Sequence, residues 1–225
     1  MANYFRHFPK TPYILENKGD LNLATNIIAR IKFIDTIKTI SSSYFGYDIA
    51  NDDTPETLSY KFYGTSTKHW VILLMNNIID PQFDWYMNYE SLNKYIEQKY
   101  YAQAIRSIDP TFSSGLEFSQ YSDENFTENK KYYIQEERQI LELGSDSKII
   151  DTRETDFATW QSVTVPDKTQ PLSGGYTVRI ITNKFFKNFY ELELEENEKK
   201  RSVKILRKEY VARVEEELKN LLGTG

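Results

Sequence analysis

Two histidines, His7 and His69, and an acid pair four apart, Asp80 and Asp84, come nearest to proton-transfer chemistry in this 225-residue chain. A histidine serves as a general base only beside an orienting partner. Two carboxylates divide acid and base roles only when their surroundings push their proton affinities apart. His69 stands next to Trp70 at the head of a helical run, which predicts a structural, packing histidine. Asp80 precedes Pro81 and Asp84 precedes Trp85, a setting that predicts turn capping. The chain has no cysteine, so it has neither a thiolate nor a disulfide framework. No Gly-x-Ser-x-Gly, phosphate-loop, Gly-x-Gly-x-x-Gly or His-Glu-x-x-His string occurs. Asn125-Phe126-Thr127 spells a glycosylation acceptor, with nothing around it that points to secretion. The reading is a protein without catalytic residues, cofactor or metal.

The elements that would position His69 and the acid pair lie between Asp53 and Trp85. Thr54 is a good N-cap, Pro55 suits the first helical position, and Leu58 and Phe62 fall on one face. Gly64 ends this helix where a left-handed backbone is wanted. A second helix is expected after Thr67 as cap, with a stripe at Trp70, Leu73 and Leu74, closed by Asn76-Asn77 and Asp80-Pro81. A helical hairpin this short needs a sheet or a partner surface to bury both stripes. Tyr44 to Ile49 reads as a strand running into it.

The Asp-Thr-Pro-Glu-Thr-Leu opening, the Phe-Tyr-Gly helix end and Trp70-Val71-Ile72-Leu73-Leu74 with Asn76 resemble the LysM module, a strand, two helices and a second strand. A longer resemblance is to the baseplate wedge proteins of T4-like contractile-tailed phages, the wedge protein fifty-three family. It rests on Tyr63-Gly64, His69 to Leu74, Asn76, Asp80-Pro81 and Asp84-Trp85. Tyr4-Phe5, Phe8-Pro9, Thr25 to Ile28, Arg30-Ile31 and Lys99-Tyr100 extend it, as do Glu196-Asn197-Glu198, Lys200-Arg201 and Lys204-Ile205-Leu206. LysM would place its second strand directly after the hairpin. Asp84-Trp85-Tyr86-Met87 is the nearest substitute, a departure that counts against sugar binding.

A hydrophobic fraction of 40% and a charged fraction of 27% are those of a folded protein with room for a sizeable core. The net charge of -5 argues against a general nucleic-acid binder. The first ten residues lack the apolar core of a signal peptide, and the run Trp70 to Met75 is far below the about 20 residues that span a bilayer. Aromatics are 15% of the chain, with 17 tyrosines, and tyrosine suits surfaces that are wet alone and buried in a complex.

The expected fold class is α+β, with four parts. Residues 1–43 are an N-terminal arm and first element, in which Leu23 to Ile40 fits a helix by its 27/31/34 spacing and a strand by its alternation; both readings stand. Residues 44–109 are the LysM-like core, with a helical segment from Asn88 to Tyr101. Residues 110–183 are a small, mostly antiparallel β insertion, with strand-like runs at 132–134, 139–143, 162–165 and 176–181 and a long connection between Pro166 and Gly175. Residues 184–225 are a long amphipathic C-terminal helix with a stripe at Val203, Leu206, Tyr210, Val214, Leu218 and Leu221. Its Glu195–Lys199 and Glu196–Lys200 spacings favour ion pairs of roughly 0.2–0.5 kcal/mol each.

The wedge resemblance implies a structural subunit of a phage tail baseplate, made in the host bacterial cytoplasm. It would join neighbouring wedges as the six-fold ring closes, contacting other wedge subunits including the sheath-initiator-like component, with no nucleic-acid or membrane partner. Candidate interface residues are Tyr4, Phe5, Phe8, Trp70, Phe83, Trp85, Tyr86, Arg201 and Tyr210, because buried Trp, Tyr and Arg dominate interface energetics. Trp85, after its proline turn, is the preferred anchor. The alternatives are a peptidoglycan-binding LysM module and, least supported, a lysozyme-like tail enzyme.

Overall fold

The computed structural model describes residues 8–14, 21–26, 42–108, 110–140, 147–165, 168–171 and 177–222. The expectations for Tyr4, Phe5, His7 and most of Leu23 to Ile40 lie outside these residues. The chain is a mixed α and β protein that divides into two compact units, residues 1–89 with 197–225, and residues 90–196. No helix among the described residues is long and apolar enough to cross a membrane.

Part of the expected extended arm is a hairpin, in which β1 (Lys10–Ile14) pairs antiparallel with β2 (Leu21–Thr25). Phe8, just before it, is buried. The core of this first unit then begins with β3 (Tyr44–Asp48) and α1 (Pro55–Tyr63). Thr54 caps α1 through a reciprocal pair with Thr57, Pro55 opens it, and Gly64 closes it at φ 78°. Only a residue without a Cβ takes that backbone cheaply. Thr65 caps a short 3-10 turn (Ser66–Lys68), and α2 (His69–Met75) follows without a side-chain cap, in place of the expected Thr67 cap. In α2 the fully buried residues are Val71, Ile72 and Met75 with Trp70, while Leu73 and Leu74 are partly buried. A helix apolar on nearly all sides is one enclosed by other elements, and the enclosing elements set which side goes deepest.

Those elements come from the end of the chain. In place of one long C-terminal helix, residues 184–222 hold the end of a strand, α7 (Phe189–Lys199), β8 (Ser202–Leu206) and α8 (Lys208–Leu221). β8 pairs antiparallel with β3, setting Phe45 opposite Ile205 and Tyr47 opposite Val203. The segment Asp84–Met87 is not a strand; α3 (Pro81–Asp84) ends there and β3 takes its partner from residues 202–206. The buried face of α8 is Val211, Val214 and Leu218, so the expected stripe is displaced at Tyr210 and Leu221, which are exposed. Val203 and Leu206 matched a helical step by coincidence. Val203 and Ile205 alternate with exposed Ser202 and Lys204, the period of a half-buried strand. The resulting core joins Ile49, Leu58, Tyr63, Trp70, Val71, Ile72, Met75 and Trp85 to Val203, Ile205, Leu206 and the buried side of α8. Each fully buried aliphatic of this set is worth about 1.5–3 kcal/mol.

The second unit carries α4 (Tyr89–Ala104), buried through Leu92, Ile96, Tyr100 and Ala104 at four-residue steps. Against it lies α5 (Gly115–Gln120), where a Cβ on Gly115 would sit 2.3 Å from the Glu97 carbonyl oxygen; the helices meet only because position 115 is glycine. A four-stranded antiparallel sheet follows, in the order β5 (Ser147–Thr155), β4 (Lys130–Ile140), β7 (Thr177–Asn188), β6 (Lys168–Pro171). The run at 162–165 is not a strand. Asp156 caps α6 (Phe157–Ser162), whose Phe157 and Trp160 pack on Tyr132, with Trp160 also against Phe186.

Candidate functional site

In the first unit, the structure gathers four of the nine candidate interface residues into one corner. Asp80 caps α3 by accepting from the Gln82 N–H at 3.0 Å, and Asp84 accepts from the N–H groups of Ile79 and Asp80 at 3.3 and 3.1 Å. Both carboxylates are therefore spent on the turn that presents Phe83, as the proline and tryptophan neighbours predicted. His69 has Nδ1 2.9 Å from the Ser66 carbonyl oxygen, a structural contact. Among the described residues, no group of three or more His, Asp or Glu side chains is arranged to hold a metal.

Behind this turn, residues 197–201 act as a clamp. The buried Asn197 amide accepts from the Met87 N–H at 2.9 Å and donates to the Met87 carbonyl at 2.8 Å. Lys200 Nζ donates to the Phe83 carbonyl at 2.7 Å. Arg201 lays its guanidinium 4.3 Å from the Tyr86 ring centroid, donates to the Tyr86 hydroxyl at 2.5 Å, and also donates to Glu198 at 3.0 Å. The Tyr86 hydroxyl lies 3.4 Å from Asn51 Oδ1, which ties in the β3–α1 loop. In that loop Asp53 accepts from the Tyr47 hydroxyl at 2.6 Å, and Tyr47 in turn accepts from Lys61 at 2.9 Å. This bond to Tyr47 holds the Lys61 ammonium above its ordinary proton affinity.

Trp85 is the pivot of the corner, with its indole N–H donating to the Asp53 carbonyl at 2.9 Å and only 6% of its surface exposed. It packs in the same core as Trp70. The accessible part of the corner is Phe83, 45% exposed, beside Ile79 at 67%, with Tyr86 and Arg201 half-buried at its flank. A surface pinned by this many backbone-directed bonds loses little freedom when a partner docks, which is how a prebuilt face raises affinity. Tyr210 sits elsewhere in the sequence, on α8, and is 40% exposed.

Two residues essential to this geometry escaped the sequence reading as functional positions. Asn197 clamps Met87, and Asn76 does the same for β8, accepting from the Lys204 N–H at 2.8 Å and donating to its carbonyl at 2.9 Å. A primary amide offers one donor and one acceptor side by side, matching one residue's backbone. The available signal was an asparagine within a glutamate- and lysine-rich helical run, where its low helix propensity asks for another reason.

Residues 4–108 match the family model described as base plate wedge protein 53. No curated protein matches the chain. The matched family is one of phage baseplate components, which suggests a structural role, other baseplate proteins as partners and the virion tail as location.

Proposed function

We propose that this chain, a member of the base plate wedge protein 53 family through residues 4–108, joins neighbouring wedges as the six-fold baseplate of a contractile tail closes. It acts by protein–protein contacts without turnover, meeting larger wedge subunits and the sheath-initiator-like component. The observation that carries this reading is the corner at Ile79, Phe83, Tyr86 and Arg201, an aromatic face with its backbone clamped and its carboxylates committed to the turn. Phe83 and Tyr86 are the contacting anchors and Arg201 the polar one, with Trp70 and Trp85 supporting them from the core. Tyr210 offers a separate contact point, as do Tyr4 and Phe5 of the arm, whereas Phe8 is buried.

The order β3, α1, α2 and an antiparallel β8 supports the LysM-like reading of the core, with the second strand delivered from the far end of the chain. That order also keeps peptidoglycan binding as the second reading. Co-expression with the other wedge subunits, followed by sizing and negative-stain imaging, with a peptidoglycan pull-down in parallel, separates the two. Incorporation into wedges or rings without retention on peptidoglycan is expected. Retention on peptidoglycan with no wedge association overturns the structural role.

A further inference from the structure

The two edges of the four-stranded sheet differ. β6 is four residues long and ends on Pro171, a short edge of the kind that discourages further pairing. β5 is nine residues long, and residues 147–154 are all exposed. One side of β5 pairs with β4; its other side meets no strand among the described residues. Ile149 and Ile150 are 55% and 44% exposed on it. The bulge opposite Glu136 and Glu137 falls at Ile150, which leaves Asp151 to Thr155 in regular register with β4.

We propose that β5 is a self-complementary edge, through which two copies of this chain pair antiparallel about a two-fold axis at Thr152. Residues directly opposite each other in an antiparallel pair interact, and opposite charges there attract while like charges repel. With Thr152 at the axis, Asp151 of each copy faces Arg153 of the other, and Thr152 faces Thr152, all within the regular stretch Asp151 to Thr155. Centring the pair on Asp151 or on Arg153 would set two like charges against each other. The charge order therefore favours the Thr152-centred register over these two, and an isologous contact makes its Asp151–Arg153 pair twice. Among the described residues Asp151 and Arg153 form no ion pair within the chain, whereas Glu154 is held by Lys131 at 3.1 Å. Strand addition of this kind draws affinity from main-chain bonds and register from side chains. The inference rests on the sheet alone, so it stands or falls separately from the baseplate role.

The test is the solution mass of the full-length chain by light scattering and sedimentation, with circular dichroism as a check on folding. The wild type is expected to reach twice its 26.6 kDa mass as concentration rises. Asp151→Arg and Arg153→Asp, each alone, should weaken the dimer by about tenfold or more, since each creates two like-charge pairs. The two together restore opposite charges and should restore the dimer. Asp151→Lys and Arg153→Glu serve as a further pair should either of the first two fail the folding check, with the same loss singly and the same rescue together. A wild type that stays monomeric to its solubility limit overturns the proposal. So does a dimer indifferent to the single reversals, or one that the double reversal fails to rescue.

Discussion

The two units close their cores over very different chain distances. In the first, a strand and two short helices from residues 44–75 are completed by residues 202–218, and bonds cross more than 120 positions. Tyr63 donates to the Leu206 carbonyl, Asn76 pairs with Lys204, and Lys68 meets Glu215. Burial pushes the Tyr63 phenol above its ordinary proton affinity, so it stays a donor there. In the second unit the sheet is assembled from nearer neighbours, β4 pairing with β5 and with β7. Long-range closure carries the larger loop-closure cost, but it lets the far end of the chain clamp the turn that presents Phe83. Local pairing is entropically easier and leaves a long edge open.

The strongest way to break this contrast is to stop the chain after Glu196, removing β8, α8 and the Asn197–Arg201 clamp. Hydrogen exchange is expected to show amides of residues 44–75 losing protection while those of β4 and β7 keep theirs. Equal loss in both would mean that the units fold as one. Next in size is Trp85→Ala, expected to cost about 3–5 kcal/mol as a buried aromatic truncation, read by urea unfolding. A stable Trp85→Ala monomer would mean that this core does not depend on the Trp85 ring. Asn76→Ala should cost about 1–3 kcal/mol, because it leaves the Lys204 backbone groups to find other partners, and a double cycle with Ile205→Val should be non-additive. Phe83→Ser should cost about 1 kcal/mol or less, its ring being nearly half exposed, yet reduce ring closure in the co-expression assay. Smallest is Ile149→Ser, expected within about 0.5 kcal/mol of wild type in unfolding.

What could be read in the chain followed the reach of each signal. Thr54, Pro55 and Gly64 act within one turn of their own positions, and α1 has those caps. The dipeptides Asp80-Pro81 and Asp84-Trp85 likewise declare a capped turn, so the capping role of both carboxylates is legible in the chain itself. β6 fell inside the connection read between Pro166 and Gly175, and α6 lies in a stretch given no element before the strand-like run 162–165, which it meets only at Ser162. Their signals are short, and for α6 the deciding partners are Tyr132 and Phe186 on other strands.

The sequence by itself determined the helical hairpin, the absence of thiol chemistry, the α+β class and the family that residues 4–108 match. Only the tertiary structure decided that residues 202–206 are a strand, that α8 buries Val211 instead of Tyr210, and that Asn197, Lys200 and Arg201 grip the turn at residues 83–87. The physical reason is that caps and turns are settled by neighbouring residues. A strand's partner and a helix's buried face are settled by which distant surface excludes water from them.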